Sequence, residues 1–189
     1  MLDREIRDYL NRTYLLRYRN DVDSHVREEM VLSAQAARID IGVINGQLVG
    51  YEIKSDRDNL DRLPGQMQAY SQIFDLLTVI CGPKHQQKLD TWLEVHFPFC
   101  GLLVTAPGKE LLHVRPTQQN HSRNGYAIAS LLWHEEAKQL LIDLGFGKGL
   151  SKKRRWELWE KLALVVPDVD ELALKVRTIL KSRLTWQEA

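Results

Sequence analysis

The sequence predicts a mixed α/β domain. Three observations carry that reading: apolar residues at helical spacing near the start, alternating apolar residues on both sides of Asn45-Gly46, and short apolar strands separated by helical stretches before an all-helical end. At 189 residues the chain has room for one domain with a sizeable core.

Taken in order, Ile6, Leu10, Tyr14 and Tyr18 predict a helix from Leu2 to about Tyr18. A strand is expected over Val26 to Leu32. Two strands flank Asn45-Gly46, a dipeptide that favours hairpins. A helix follows from about Pro64 to Phe74, with proline tolerated in its first turn. Leu76 to Cys81 reads as a short buried strand ended by Gly82-Pro83, Gln86 to about Val95 as a helix, and Gly101 to Thr105 as a strand before a Pro107-Gly108 turn. Leu111 to Val114 is a last short strand. From Gly125 the pattern is helical, in three segments broken near Gly145–Gly149 and Pro167. This divides the chain into a domain over residues 1–145 and a helical C-terminal extension over 146–189 packed on it.

Lysine and arginine number 26 against 25 aspartates and glutamates, so the net charge provides no general grip on nucleic acid and any such grip is local. Cys81 and Cys100 are far apart in apolar surroundings and read as buried thiols. The charged start Met1-Leu2-Asp3-Arg4-Glu5 does not resemble a signal peptide, and the apolar runs are far short of a membrane span. A cytoplasmic protein without a membrane partner is expected.

The hairpin is the informative segment. Strand side chains alternate faces, which separates Ile39, Ile41, Val43, Val49, Tyr51 and Ile53 from Asp40, Gly42, Leu48, Gly50, Glu52 and Lys54. For both apolar sets to share a face, paired residue numbers must sum to an even number. A two-residue turn at Asn45-Gly46 violates this. A three-residue loop Ile44-Asn45-Gly46, with Gly46 at positive φ and Val43 opposite Gln47, satisfies it. Asp40 then lies diagonally across from Glu52, about 7–8 Å between backbones. Gly42 and Gly50 leave the face bare, open to close approach.

Two carboxylates on neighbouring strands make a hard oxygen site suited to Mg²⁺ or Mn²⁺, with the Ile53 carbonyl as a further ligand. Lys54 emerges beside them, placed to orient water and stabilise charge on a phosphoryl group. Glu-x-Lys alone is weak, because edge strands routinely carry charged outward faces.

The ordered combination is more specific. Arg38-Ile39-Asp40, then Gly50-Tyr51-Glu52-Ile53-Lys54-Ser55, resembles the core motif of PD-(D/E)XK nucleases, and Asp56 through Gln66 resembles the sce7726 family within that superfamily. Gln66-x-x-x-Tyr70 is similar to the helix motif of RecB-like members; the likeness covers roughly residues 25–145. It implies a restriction-endonuclease-like core, a mixed sheet flanked by helices, and Mg²⁺-dependent cleavage of DNA. It also implies that Asp40 and Glu52 are metal ligands, Lys54 the catalytic lysine, Glu29 the upstream acid, and Gln66 and Tyr70 contacts to the site or to phosphate. Glu28 is adjacent to Glu29, and the spacing to Asp40 favours Glu29.

Other features have blander readings beside the functional ones. Asp56, Arg57, Asp58, Asp61 and Arg62 read as solvated loop and helix-start residues, with Arg57 and Arg62 as the alternative phosphate contacts. Lys152, Lys153, Arg154 and Arg155 form the one dense basic cluster, either a solvated helix start or a contact to the DNA backbone. Trp156 and Trp159 read as core or dimer contacts, and Leu63, Met67 and Phe74 as core. The six histidines lack zinc-ligand spacing, and Gly145–Gly149 is a hinge or helix stop and no P-loop.

The expected activity is that of an Mg²⁺-dependent deoxyribonuclease. The alternative is a catalytically silent DNA-binding or protein-interaction subunit on the same fold. Partners expected are DNA, a helicase or defence-system protein on the helical end, or a second copy of the chain.

Overall fold

The computed structural model describes residues 2–32, 37–106, 110–183 and 186. Six strands form one sheet in chain order: β1 (His25–Leu32), β2 (Ala37–Ile44), β3 (Leu48–Lys54), β4 (Leu76–Cys81), β5 (Gly101–Thr105) and β6 (Leu111–Arg115). The first three strands and the last pair run antiparallel; β3, β4 and β5 run parallel. Parallel neighbours need crossovers, and these are supplied by α3 (Leu63–Ser71) and α4 (Gln86–His96), the latter after a 3₁₀ turn at Pro83–His85. The Pro107-Gly108 turn falls outside the described residues.

Helices cover both faces, so β3 is buried along its whole length. On one face α1 (Asp3–Arg12) lays Ile6 and Leu10 against Ile41, Val43, Val49, Tyr51 and Ile53. On the other, Leu63, Met67, Tyr70, Leu89 and Leu93 of α3 and α4 pack with Leu77, Val79, Cys81 and Leu102. The second core continues into α5 (Gly125–Ala129), α6 (His134–Asp143), α7 (Arg155–Val165) and α8 (Val169–Ser182), which pack on one another. Gly145 and Gly149 adopt positive φ after α6, the helix stop expected there. Both cysteines are buried free thiols, their pKa values pushed up to about 12 by burial. No described helix is long and apolar enough to cross a membrane.

Several expectations are corrected. The first helix breaks after Arg12 and resumes as the single turn α2 (Leu16–Arg19). Among the described residues the helical end comprises four helices in place of three segments. The hairpin register is even, as the burial pattern requires, but it pairs Val43 with Val49 and Ile44 with Leu48. The loop is Asn45-Gly46-Gln47, closed by the Asn45 N–H to the Gln47 carbonyl (3.0 Å) and by Asn45 Oδ1 accepting the Gln47 N–H (2.8 Å). That Asx contact makes the turn, and Gly46 keeps a negative φ. Continued pairing would place Asp40 directly opposite Glu52, where a diagonal relation was expected.

Nor are the two glycines bare. A Cβ on Gly42 would meet Met30 Sδ at 2.5 Å, and one on Gly50 would meet Ile39 Cδ1 at 2.6 Å. Ile39 and Met30 belong to the core of α3 and α4, although Ile41 and Val26 pack on the α1 side. The face assignment therefore changes in both strands between these residues. There the β1–β2 register, otherwise unbroken, lacks the Glu29–Asp40 pair, and Glu29 holds φ at 52°. A non-glycine residue in that region is strained, and here it sits at the mouth of a cleft.

Candidate active site

The cleft opens where β2 and β3 fork. Their pairing ends at Ile41–Tyr51. Two residues on, the Ile53 N–H, which continued pairing would aim at Ile39, donates instead to Asp40 Oδ2 at 2.6 Å. Glu52 and Lys54 emerge from β3 on the same cleft, close to the start of α3, at the carboxyl end of a parallel strand.

Both Glu52 and Lys54 are buried, at 1% and 8% exposure. Lys54 Nζ donates to Glu52 Oε1 at 2.6 Å. Tyr70 Oη lies 2.9 Å from Glu52 Oε2 and 2.7 Å from the Arg38 carbonyl, and Gln66 Nε2 donates to Tyr70 Oη at 3.2 Å. A phenol has one proton, so Tyr70 serves one acceptor at a time. With Glu52 ionised the proton goes to the carboxylate; with Glu52 protonated the carboxyl donates to the phenol, which then serves Arg38. Burial, reinforced by Glu52, pushes the Tyr70 pKa up and keeps the phenol protonated.

Burial also pushes both acids up. Asp40 is raised by desolvation against the opposing effects of the Ile53 N–H, Arg7 and Lys54. Glu52 is raised by desolvation and then by the neighbouring Asp40 charge, against Lys54 and Tyr70. The two carboxylates thus feel one another, and their partners do not fully offset the loss of water. The cleft as a whole is acidic: its lining carries Asp3, Glu29, Asp40, Glu52, Asp58 and Asp61 against Arg38, Lys54 and Arg62. Such a surface favours cations over anions.

Glu29, Asp40, Glu52, Ile53, Lys54, Gln66 and Arg62 all line this cleft. Of the two adjacent glutamates it is Glu29 that lines the cleft, contacting Arg7 and Arg38 at 2.7 Å each, whereas Glu28 turns to Asn11 and Arg19 at 3.3 Å. Arg57 is exposed outside the lining. Asp56 and Asp58 brace the turn after β3: Asp56 Oδ1 accepts the Lys84 N–H at 2.9 Å, and Asp58 Oδ2 accepts the Ser55 N–H at 2.7 Å and its hydroxyl at 2.6 Å. Lys152, Lys153, Arg154 and Arg155 at the start of α7 are not brought to the cleft. Lys153 pairs with Glu157 at 3.1 Å, and Arg155 stacks 4.9 Å from the ring centre of Trp159, itself buried. Trp156 is half exposed.

Sequence reasoning missed Arg7. Its Nη2 contacts Asp40 Oδ1 at 2.5 Å and Glu29 Oε1 at 2.7 Å, Nη1 donates to the Asp40 carbonyl at 3.2 Å, and Nε reaches Asp3 at 2.7 Å. The i,i+4 spacing of Asp3 and Arg7 was legible; that α1 docks across the β2–β3 fork was not.

The fold and site define an α/β domain with a buried acid–lysine cluster in an acidic cleft at the carboxyl edge of its sheet. The family model for Bacteriophage P4 protein cII matches residues 7–188, and the chain belongs to that family. Protein cII of Enterobacteria phage P4 is 40% identical over 62 residues, which is 33% of this chain and only 24% of that relative's length. No solved structure matches the chain.

Proposed function

We propose that the chain is a metal-dependent deoxyribonuclease with a restriction-endonuclease-like, PD-(D/E)XK core. One observation carries this reading: Asp40, Glu52 and Lys54 are held together in a largely buried cleft, where charged groups cost most. Such expense concentrates at functional sites. The resemblance of Arg38–Asp40, Glu52-x-Lys54 and Gln66-x-x-x-Tyr70 to nuclease motifs supports the same conclusion.

The donor set fits a hard divalent cation. Burial raises the pKa values of both Asp40 and Glu52, and a bound cation would offset that loss of water. Among the described residues no group of three or more His, Cys, Asp or Glu forms a ready-made metal cage. Mg²⁺ commonly needs only one or two carboxylates, completing its shell with waters and substrate phosphate. Asp40, Glu52 and the Ile53 carbonyl would hold it, and when bound it would supply charge stabilisation at the phosphate.

The chain's own residues then have separate tasks. The Ile53 N–H fixes Asp40, and Tyr70, itself held by Gln66, fixes Glu52. Lys54 orients the attacking water and stabilises the phosphate oxygens. Hydrolysis joins the water oxygen to phosphorus, breaks the bond to the leaving oxygen and delivers a proton to that oxygen. Arg62 at the cleft, and Lys152, Lys153, Arg154 and Arg155 leading into α7, contact the DNA backbone.

A second reading, a silent DNA-binding or protein-interaction subunit on the same fold, is favoured by the Arg7 contacts, which neutralise the acids without metal. One assay separates the two: incubation of linear, nicked and single-stranded DNA with Mg²⁺ or Mn²⁺, beside Asp40→Ala. Cleavage lost in the variant supports the nuclease; DNA retention without cleavage in either protein selects the silent subunit.

A further inference from the structure

We propose that Arg7 is the resident cation of the acid cleft, and that a divalent metal must displace its guanidinium from Asp40 in order to bind. This rests on the metal reading above and names what sets the metal affinity of that site. Asp40 has two carboxylate oxygens. One, Oδ2, is committed to the Ile53 N–H at 2.6 Å, a contact that shapes the fork between β2 and β3. The other, Oδ1, is the oxygen left for a metal, and it is the one Arg7 Nη2 occupies at 2.5 Å.

The remaining contacts make Arg7 a bridging cation. The same Nη2 reaches Glu29 at 2.7 Å, Nη1 donates to the Asp40 carbonyl at 3.2 Å, and Nε is anchored by Asp3 at 2.7 Å. Burial works against the Arg7 charge, but Asp3, Asp40 and Glu29 together outweigh it and push its pKa up. Glu29 adopts its left-handed backbone, at φ 52°, where its carboxylate meets both Arg7 and Arg38.

The helix need not leave the sheet for Arg7 to yield. Ile6 and Leu10 anchor α1 in the core with no exposed surface, and the contacts to the acids are all made by the guanidinium at the end of a long side chain. Rotation about its side-chain bonds frees Oδ1 while α1 stays docked. Metal and guanidinium therefore compete for one oxygen, and each weakens the other by the same factor.

Calorimetric titration with Mn²⁺ tests this in the wild type, Arg7→Ala, Asp3→Asn and Asp40→Ala. Competition requires that Arg7→Ala bind Mn²⁺ more tightly, by about tenfold for a lost contact of this kind. Asp3→Asn, which loosens the anchor at the half-buried helix start, should move affinity the same way by less, and it keeps the test open if Arg7→Ala does not fold. Equal or weaker binding in both variants, with wild-type binding abolished by Asp40→Ala, would overturn the displacement and leave the metal site standing. No Asp40-dependent binding in any of them would sink both. Titrating the wild type with Mg²⁺ and following the Arg7 Nε–H signal by NMR supplies an independent readout: a shift at saturation supports displacement, and an unmoved signal overturns it.

Discussion

The Asp40 carboxylate stands in for a main-chain acceptor toward the Ile53 N–H, at 2.6 Å, at the point where β2 and β3 part. One side chain thus completes the sheet and lines the cleft. The two duties separate by substitution. Asp40→Asn keeps an oxygen for the Ile53 N–H, whereas Asp40→Ala leaves that buried donor unmade, a cost of about 1–3 kcal/mol. Urea unfolding should place Asp40→Asn well above Asp40→Ala in stability, while neither shows the Mn²⁺-dependent stabilisation expected of the wild type. Equal stability of the two variants would mean that the Ile53 contact contributes nothing.

Lys54 separates chemistry from binding in the proposed reaction. Lys54→Ala should reduce single-turnover cleavage by roughly a hundredfold or more while Mn²⁺ still binds, because the ammonium acts on water and phosphate. Lys54→Arg should rescue poorly, since a planar fork does not replace a compact ammonium. Removing a buried partner carries a folding cost of about 3–5 kcal/mol unless the acid takes up a proton, so Lys54→Ala should be assayed where circular dichroism shows it folded. Wild-type rates in Lys54→Ala would remove the lysine from the mechanism.

The acid pair predicts a pH dependence. Burial raises Asp40 and Glu52 above their ordinary values of 3.8 and 4.5, so the folded chain holds these protons to higher pH than the unfolded one. Their contribution to stability is complete below the ordinary values and is lost as pH rises through the raised ones. In metal-free buffer, the stability difference between wild type and Glu52→Gln should therefore shift against the wild type over that window. Mn²⁺ affinity should move oppositely, growing with pH as the acids ionise and protons are released on binding. An affinity flat across the window would show that neither acid loses a proton to the metal.

The basic start of α7 is tested by salt. Neutralising Lys152, Lys153, Arg154 and Arg155 together should weaken DNA binding uniformly across sequences and flatten its dependence on ionic strength. Gel-shift titrations at several salt concentrations measure the slope. An unchanged slope would assign these residues to a solvated face, consistent with Lys153 and Arg155 being engaged by Glu157 and Trp159.

Much of this architecture was legible in the sequence because hydrophobic period and turn chemistry act locally. The strands around Asn45-Gly46, the apolar run at Leu76–Cys81 and the helix holding Gln66 and Tyr70 fall close to their expected positions. The even register also followed, because the odd-numbered apolar residues of the two strands have to share one face. The loop slipped by one residue, since the Asn45 side chain closes the turn on Gln47 and no glycine conformation is needed. What stayed hidden depends on contacts distant in sequence. Ile39 departs from its alternation to cover Gly50, and Arg7 comes to Asp40 only because α1 crosses the sheet. No window of neighbouring residues contains either fact.

That departure of Ile39 gives the last prediction. A methyl group added at Gly50 would lie 2.6 Å from Ile39 Cδ1, 3.0 Å from Leu77 Cδ1 and 3.0 Å from Phe74 Cγ, all in fully buried side chains. Three neighbours would have to move in a packed core, an overpacking cost of about 1–3 kcal/mol. At Gly42 the close atom is Met30 Sδ at 2.5 Å, the far part of a flexible side chain, with the next contact at 3.4 Å. Alanine there also recovers about 0.5–1 kcal/mol of the backbone entropy that glycine loses in a strand. Thermal unfolding should therefore find Gly50→Ala clearly destabilised and Gly42→Ala close to the wild type. Ile39 is bonded to Asp40, so its displacement should also reach the cleft: Gly50→Ala should bind Mn²⁺ more weakly than Gly42→Ala. Reversal of that order would mean that the site does not depend on the packing of Ile39 over Gly50.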